Sequence, residues 1–443
     1  MTPTSAPAGE SMHRRVLTLT VPIILSNLSI PLLGAVDTAV MGHLPDPAFI
    51  GGVAIGALIF SYIYWGFGFL RMGTTGLVAQ AHGAGDAIEL RAILGRAALL
   101  AVGLAGLLLL FQRPLGVFAF AMLESTPEVE SLAGTYYAIR LWGAPAALLN
   151  YVAWGGLIGV QRMRSALALS VFMNGLNIVL DLVLVVGLGH GIAGVALATL
   201  ISEWSALALA VWLVMRVLRK TEGVWLRERI LDGERIAGLL RVNADIFVRT
   251  LCLVSAFAWF TAQGARMGNV LLAANAILLN FQTFMAYGLD GFAHASEALV
   301  GSAVGSGDRR LLRRAVRTTT IWAFGTAVLF ALVYAGAGRM IVAALTTIPE
   351  VRATVAIYLP WTIVSPLISV WSFQLDGIFI GATRTPEMRN GMLISLGLFL
   401  ASGWILIPRI GNHGLWLALM IFMVIRAVTL GAWYPRIARR LSS

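Results

Sequence analysis

"GLVAQAHGAGDAIELRAILGRA" (residues 76–97) and "ALVGSAVGSGDRRLLRRAVRTT" (residues 298–319) lie 222 positions apart and set Gly85-Asp86 on Gly307-Asp308. A second pairing keeps that offset: "GGLIGVQR" (155–162) falls on "GIFIGATR" (377–384), aligning Gly155, Gly159 and Arg162 with Gly377, Gly381 and Arg384. A third, "GIAGVALA" (191–198) on "GNHGLWLA" (411–418), follows at an offset of 220. Three pairings in order at nearly one offset mark an internal duplication. The fold of one half is therefore the fold of the other.

The surrounding chain says what is duplicated. Of its 443 residues, 58% are hydrophobic and only 12% charged, with mean hydropathy +0.84. Soluble domains carry about 25% charged residues, so this is a membrane-embedded chain. Apolar stretches recur at the length of about 20 residues that a helix needs to cross the hydrocarbon core. Period-2 alternation of the barrel type is absent. Glycine, proline and arginine punctuation gives twelve expected spans: 16–42, 51–80, 93–112, 133–160, 165–188, 191–215, 243–263, 270–302, 319–337, 352–381, 391–408 and 414–432. Six spans per half is an even number, so both halves enter the bilayer from the same side as parallel repeats. The expected architecture is all-α, two six-helix bundles around a central cleft. Residues 1–218 form the first lobe, 219–242 a partly amphipathic connector, and 243–443 the second lobe. The amino-terminal stretch "MTPTSAPAGESMHRR" leads straight into the first span, with no removable signal peptide expected.

Charge placement orients the spans. Alternate loops hold 23 of the 32 basic residues, including Arg14, Arg15, Arg91, Arg96, Arg162, Arg164, seven in the central segment and Arg309 to Arg317. The opposite loops hold only Arg113, Arg266, Arg339, Arg352 and Arg409. The positive-inside rule puts both termini and the basic loops in the cytoplasm. The net charge of +11 is thereby a topology signal, and nucleic acid is not an expected partner. Lone Cys252 cannot form an intrachain disulfide or a thiolate cluster.

Seven of the 21 acids fall inside spans, namely Asp37, Asp181, Glu203, Asp245, Asp290, Glu297 and Asp376, against four arginines, Arg71, Arg140, Arg249 and Arg426. A carboxylate at mid-membrane costs about 2.5–3.5 kcal/mol on insertion scales, so each marks a pathway, a pair or a proton site. Asn177 and Asp181 stand at i and i+4 on one helical face, with Thr199 one span later, and Tyr136 and Asn150 add polar groups on the fourth span. Asp245 and Arg249, also at i and i+4, read as an internal ion pair. Asp290, Glu297 and Asp376 are the acids of the second half, aligned by the repeat with Gly68, Thr75 and Trp154, and with Tyr136, Asn150 and Trp154 they are the expected substrate-cleft residues. The lobes have thus diverged in their polar residues. His294 reads as a packing residue. Pro22 and Pro31 interrupt the hydrogen-bond ladder of the first span and make it a candidate hinge beside Asp37.

"LSIPLLGAVDTAVMGHL", "FLRMGTTGLVAQAHGAGD", "NIVLDLVLVVGL", "GLDGFAHASEALVG", "LDGIFIGATRTPEMRN" and "GNHGLWLAL" together resemble the multidrug and toxic compound extrusion (MATE) family, within it the DNA-damage-inducible F (DinF) branch. The resemblance runs from about Pro22 to Trp433. It implies two six-helix bundles facing a cleft and export of lipophilic, cationic small molecules in exchange for H+ or Na+. It assigns proton loading to Asp37, fifteen residues after the bending proline Pro22, and cation coupling to Asn177, Asp181 and Thr199. Tyr136 matches a tyrosine of the family's site. A family asparagine falls at Trp154, with Asn150 a turn away, and this is a departure from the pattern.

Other classes fit less well. The only lysine, Lys220, sits in "RVLRKTEG", so no Walker A motif supports ATP-driven export. No H-E-x-x-H or G-x-S-x-G motif supports an intramembrane enzyme, so neither catalytic residues, metal nor cofactor is expected beyond the coupling ion. A flippase for lipid-linked saccharides is the closest rival and would need a basic cavity for phosphate. The expectation is a monomeric multi-pass transporter of a bacterial inner membrane.

Overall fold

A computed structural model of the chain describes residues 11–41, 47–123 and 126–440; the side chains of Ile30, 32–41, Pro47 and Arg440 lie outside the description. Asp37 therefore sits on a described backbone, but its side chain lies outside the described residues. The helices are α1 (Met12–Met41), α2 (Pro47–Gly66), α3 (Phe69–Ala84), α4 (Ala87–Leu110), α5 (Gln112–Met122), α6 (Pro127–Arg140), α7 (Ala144–Gly159), α8 (Met163–Asp181) and α9 (Gly191–Leu218). They continue with α10 (Arg227–Ile230), α11 (Gly233–Arg266), α12 (Asn269–Gly305), α13 (Arg309–Leu345), α14 (Pro349–Gly381), α15 (Thr385–Ile410) and α16 (Asn412–Arg440). No strand occurs among the described residues. Eleven helical stretches among them are long and apolar enough to cross a membrane, and α1 coincides in position with the expected first span.

The helices overrun the expected spans because capping chemistry, and not the end of the apolar run, sets their ends. The Asp308 carboxylate accepts from the N–H groups of Arg310 and Leu311, so α13 starts ten residues before the expected span, inside the arginine cluster. Asp86 caps α4 in the same way through Glu89 N–H. The short helix α5, with Val117, Phe118 and Met122 exposed, was not expected from the sequence.

The duplication is visible in the backbone. Gly85 (φ 71°) and Gly307 (φ 68°) both take the left-handed conformation, as do Gln161 (φ 61°) and Thr383 (φ 49°), and Gly191 (φ 53°) and Gly411 (φ 57°). Each member of a pair sits at the matching repeat position. Gln161 and Thr383 close α7 and α14 with the same motif. Arg162 N–H reaches the Leu157 carbonyl, and Arg384 N–H reaches that of Phe379. A β-branched residue is a poor occupant of left-handed space, at a cost of about 1–3 kcal/mol. Thr383→Gly is accordingly expected to stabilise the protein by about 1 kcal/mol, read as a higher unfolding midpoint in detergent. A lower midpoint would mean that the threonine side chain contributes more than its backbone strain costs.

The closest helix pairs also repeat. Gly155 of α7 lies against the Arg71 carbonyl of α3, where a Cβ would come within 2.6 Å of the oxygen. Gly377 of α14 lies against the carbonyl of Ala293, the repeat mate of Arg71, on α12. One turn on, Gly159 and Gly381 abut the carbonyls of Thr75 and Glu297, again repeat mates. Both are small-xxx-small contacts, the device by which membrane helices bring backbones together without a hydrophobic driving force.

The chain groups into two compact units, one comprising residues up to Ile24 and from Arg241 onward, the other Leu25–Leu240. This differs from the expected division at 218 and 242. The first half of α1 belongs with the carboxyl-terminal half of the chain because Gly291 leaves room for Thr20 and Ile24, and Trp322 Nε1 donates to His13 Nδ1 (3.2 Å). The second half of α1 belongs with the other unit, where Ser26 donates to Ser170 (2.6 Å) and Asn174 donates to Ser29 (2.7 Å). The α-helix is continuous through both Pro22 and Pro31.

The connector is no free linker. Arg91 and Arg96, read from sequence as loop charges, are buried in α4. Arg91 Nη2 donates to the carbonyls of Leu218 (2.7 Å) and Thr221 (2.9 Å), and Arg96 Nη1 to that of Arg229 (2.8 Å). Glu89 completes the clamp by pairing with both Arg96 and Arg235. Local sequence could not show this, since the partners are more than 120 residues apart.

Candidate functional site

Within the unit Leu25–Leu240, helices α1, α2, α6, α7, α8 and α9 enclose a polar cavity of about 260 Å³. Tyr64, Tyr151 and Trp154 supply aromatic walls, and Arg140, Asn150 and Glu203 supply polar ones. Arg140 closes α6 and donates through Nη1 to Glu203 Oε1 at 2.8 Å. Its guanidinium carbon lies 5.0 Å from the Phe60 ring centre and 5.3 Å from that of Tyr64. A planar cation over two neighbouring aromatic rings and against a carboxylate is a favoured arrangement for guanidinium. Asn150 Nδ2 donates to the Glu203 carbonyl at 3.0 Å, tying α7 to α9. Glu203 fits because the short 3-10 turn Leu141–Gly143 ends in glycine: a Cβ on Gly143 would collide with Glu203 Oε2. Glu203 Oε2, Asn150 Oδ1 and the Tyr64 hydroxyl are all buried with no hydrogen-bond partner.

The expected coupling cluster forms in the same unit. Asp181 is fully buried at the end of α8. With the Asn177 amide oriented so that both its ends are satisfied, Nδ2 donates to Asp181 Oδ2 (3.2 Å). Its Oδ1 then accepts from Thr199 Oγ1 (3.2 Å) and Thr199 N–H (3.1 Å). The amide thereby relays between the carboxylate on α8 and the hydroxyl on α9. Immediately after Asp181 the helix widens into a π-helical turn, Leu182–Gly187, a feature common at functional sites and invisible to span-length reasoning. The cluster does not line the 260 Å³ cavity.

Of the expected cleft residues, Asn150 and Trp154 line the cavity, and Trp154 Nε1 donates to the Ala166 carbonyl at 3.4 Å. Tyr136 does not line it; its ring packs edge-on to Phe60 and fills the space above Gly56. Sequence reading counted Arg140 and Glu203 among the span charges but did not pair them. They are 63 residues apart, and no local spacing betrays the contact.

In the other unit the charges pair differently from the local spacing. Asp245 and Arg249 are not partners. Arg249 pairs with Asp376, while Asp245 accepts from Arg389 Nη1 (2.7 Å) and Thr385 Oγ1 (2.9 Å). The i, i+4 spacing permits a pair, but α14 and α15 offer better-placed groups. Asp376, expected in a substrate cleft, is 6% exposed and held by two guanidiniums, Arg249 and Arg426 Nη2 (2.7 Å). It knits α11, α14 and α16 together. Asp290 lies within electrostatic reach of Arg426, and Glu297 is buried on α12. His294 Nδ1 sits on the Asp290 carbonyl one turn back, in keeping with a packing role.

Residues 22–183 and 246–405, most of both halves, match the family model described as MatE. The chain belongs to the MatE family. It is 41% identical over 420 residues to "DNA damage-inducible protein F" of Escherichia coli (strain K12), covering 94% of this chain and 91% of that one. Among solved structures it resembles "Outward-facing conformation of a multidrug resistance MATE family transporter of the MOP superfamily" (TM-score 0.88, 20% identity, 98% and 97% of the two chains). It also resembles "Crystal structure of MATE in the bent conformation" (TM-score 0.89, 19% identity, 98% and 97%). At these identities the structural likeness speaks for the fold. This MatE chain is thus a multi-pass helical membrane protein built on a duplicated scaffold.

Proposed function

We propose that this MatE chain is a secondary multidrug exporter that moves lipophilic, cationic compounds outward in exchange for protons. The observation that carries the reading is the buried Asn177–Asp181–Thr199 relay, a carboxylate met by a neutral amide between two helices long and apolar enough to cross a membrane. In this reading Asp181 is the group that exchanges the coupled proton, with Asn177 and Thr199 holding its carboxylate in place. Competition between H+ and a cationic substrate for one carboxylate system makes antiport its direct consequence. Asp37 on α1 is the first proton acceptor in this reading. Pro22 and Pro31, which remove two bonds from the α1 ladder, let the helix bend as protons load. The two units rock between inward-open and outward-open states, as a monomer in a bacterial inner membrane with both termini cytoplasmic.

Sodium coupling is the second reading. Asn177, Asp181 and Thr199 offer only oxygen donors to a cation, the hard ligands such an ion takes. The flippase reading loses support, because Arg140 is committed to Glu203, and Arg249 and Arg426, though side by side, are both committed to Asp376.

The test is purified protein in liposomes with a fluorescent lipophilic cation under separate pH and Na+ gradients. Asp37→Asn and Asp181→Asn are expected to lower pH-driven transport by about tenfold or more with protein levels unchanged. Transport driven by Na+ alone would replace the proton with sodium. No cation movement under either gradient would overturn export.

A further inference from the structure

A second cavity lies elsewhere. In the carboxyl-terminal unit, α13, α14 and α16 frame a groove of about 700 Å³. That volume is within the range of about 300–1,000 Å³ usual for small-molecule sites. Its walls are mainly Val, Leu, Ile, Ala and Gly, with Thr320 and Gln374 as polar members and Trp371 and Tyr434 as aromatic faces. Trp371 is itself braced by Phe324, ring centres 5.8 Å apart. No charged residue lines it. Val428, 62% exposed on α16, leaves the groove open at that edge.

One polar group in it is unfinished. Gln374 is 97% buried, since only 3% of it is exposed. Its Nε2 donates to Ser296 Oγ (2.7 Å) and Thr319 Oγ1 (2.6 Å), which uses both amide hydrogens. Its Oε1 has no hydrogen-bond partner. A buried acceptor left unsatisfied is costly, and native structures tolerate few. Gln374 is itself among the residues that line the groove, so a small side-chain shift would let an incoming N–H or O–H complete this acceptor.

We propose that this groove binds neutral lipophiles carrying a single N–H or O–H donor, such as hindered phenols. Lipophilic cations and phospholipid headgroups are disfavoured because the lining offers no counter-charge. The nearest carboxylate along α14, Asp376, is already held by Arg249 and Arg426. The site is distinct from the polar cavity beside Arg140 and Glu203, and it stands whether or not the export reading does.

The test is photolabelling of the full-length protein in phosphatidylcholine nanodiscs with a diazirine-bearing dialkylphenol and with its O-methyl ether. Crosslinks are mapped by mass spectrometry. The phenol is expected to label α13, α14 and α16 saturably, and the ether, lacking one hydrogen bond, about tenfold more weakly. Val428→Trp, which fills the groove from an exposed position, is expected to abolish labelling without changing the unfolding midpoint. Gln374→Met is expected to erase the preference for phenol over ether. Competition by added diacylglycerol would support the site and give the bilayer as its source. Equal labelling by phenol and ether, or displacement by tetraphenylphosphonium, would overturn the proposal.

Discussion

Asp376→Leu is expected to unfold the carboxyl-terminal unit, where loss of a cleft residue would only have weakened substrate binding. The carboxylate holds Arg249 and Arg426 together in a site where all three residues are nine-tenths buried or more. Removing one partner of a buried ionic cluster strands the others away from water, typically at about 3–5 kcal/mol. Here two guanidiniums would lose their shared acceptor. That loss is a large fraction of a typical unit's stability, so the variant should yield little monodisperse protein after extraction in detergent. A compensating change separates the charge from the packing. With Arg249→Met added, Arg426 still has Asp290 within electrostatic reach, so part of the lost stability should return. A wild-type unfolding midpoint in Asp376→Leu, together with weaker substrate binding, would restore the cleft role expected from sequence.

Gly377→Ala is expected to be nearly as damaging despite adding a single methyl group. The new Cβ would land on the Ala293 carbonyl, with the Ala293 Cα at 2.9 Å, and backbone cannot move aside as a side-chain tip can. Separating α14 from α12 to make room would also disturb Gly381, where a Cβ would come within 2.5 Å of the Glu297 carbonyl. Overpacking of this kind costs about 3 kcal/mol. Gly155→Ala, at the repeat-related contact with Arg71, should cost a similar amount for the same reason. Gly325→Ala is the control. It lies within α13 with nothing within 4 Å of its Cβ position, and should stabilise by about 1 kcal/mol through helix propensity. Thermal unfolding in detergent reads all three. Equal midpoints for Gly377→Ala and Gly325→Ala would refute the close backbone approach.

The same charges illustrate how far the sequence could be read. Counting seven acids against four arginines in the spans implied an electronegative interior, because an unpaired charge in a bilayer is expensive wherever it falls. The structure spends three of those acids on internal pairs: Glu203 on Arg140, Asp376 on Arg249 and Arg426, and Asp245 on Arg389. Asn177 and Asp181 were legible because they are four residues apart on one helix, where spacing alone fixes proximity. Arg140 and Glu203 were not, because helices far apart in sequence meet only through packing.

By itself the sequence determined the class, the duplication and the positions where it recurs. Apolar run length follows from bilayer thickness, and Gly85 and Gly307, Gly155 and Gly377, Gly159 and Gly381 stand where only glycine meets a backbone requirement. The tertiary structure alone decided the partners. It assigned Asp376 to holding helices together, folded Arg91 and Arg96 under the connector, placed the border of the units inside α1, and built the cavities. The reason is physical: a helix's length and local spacing are fixed by its own residues, whereas ion pairs and cavities are properties of surfaces brought together by residues that can lie a hundred or more positions away.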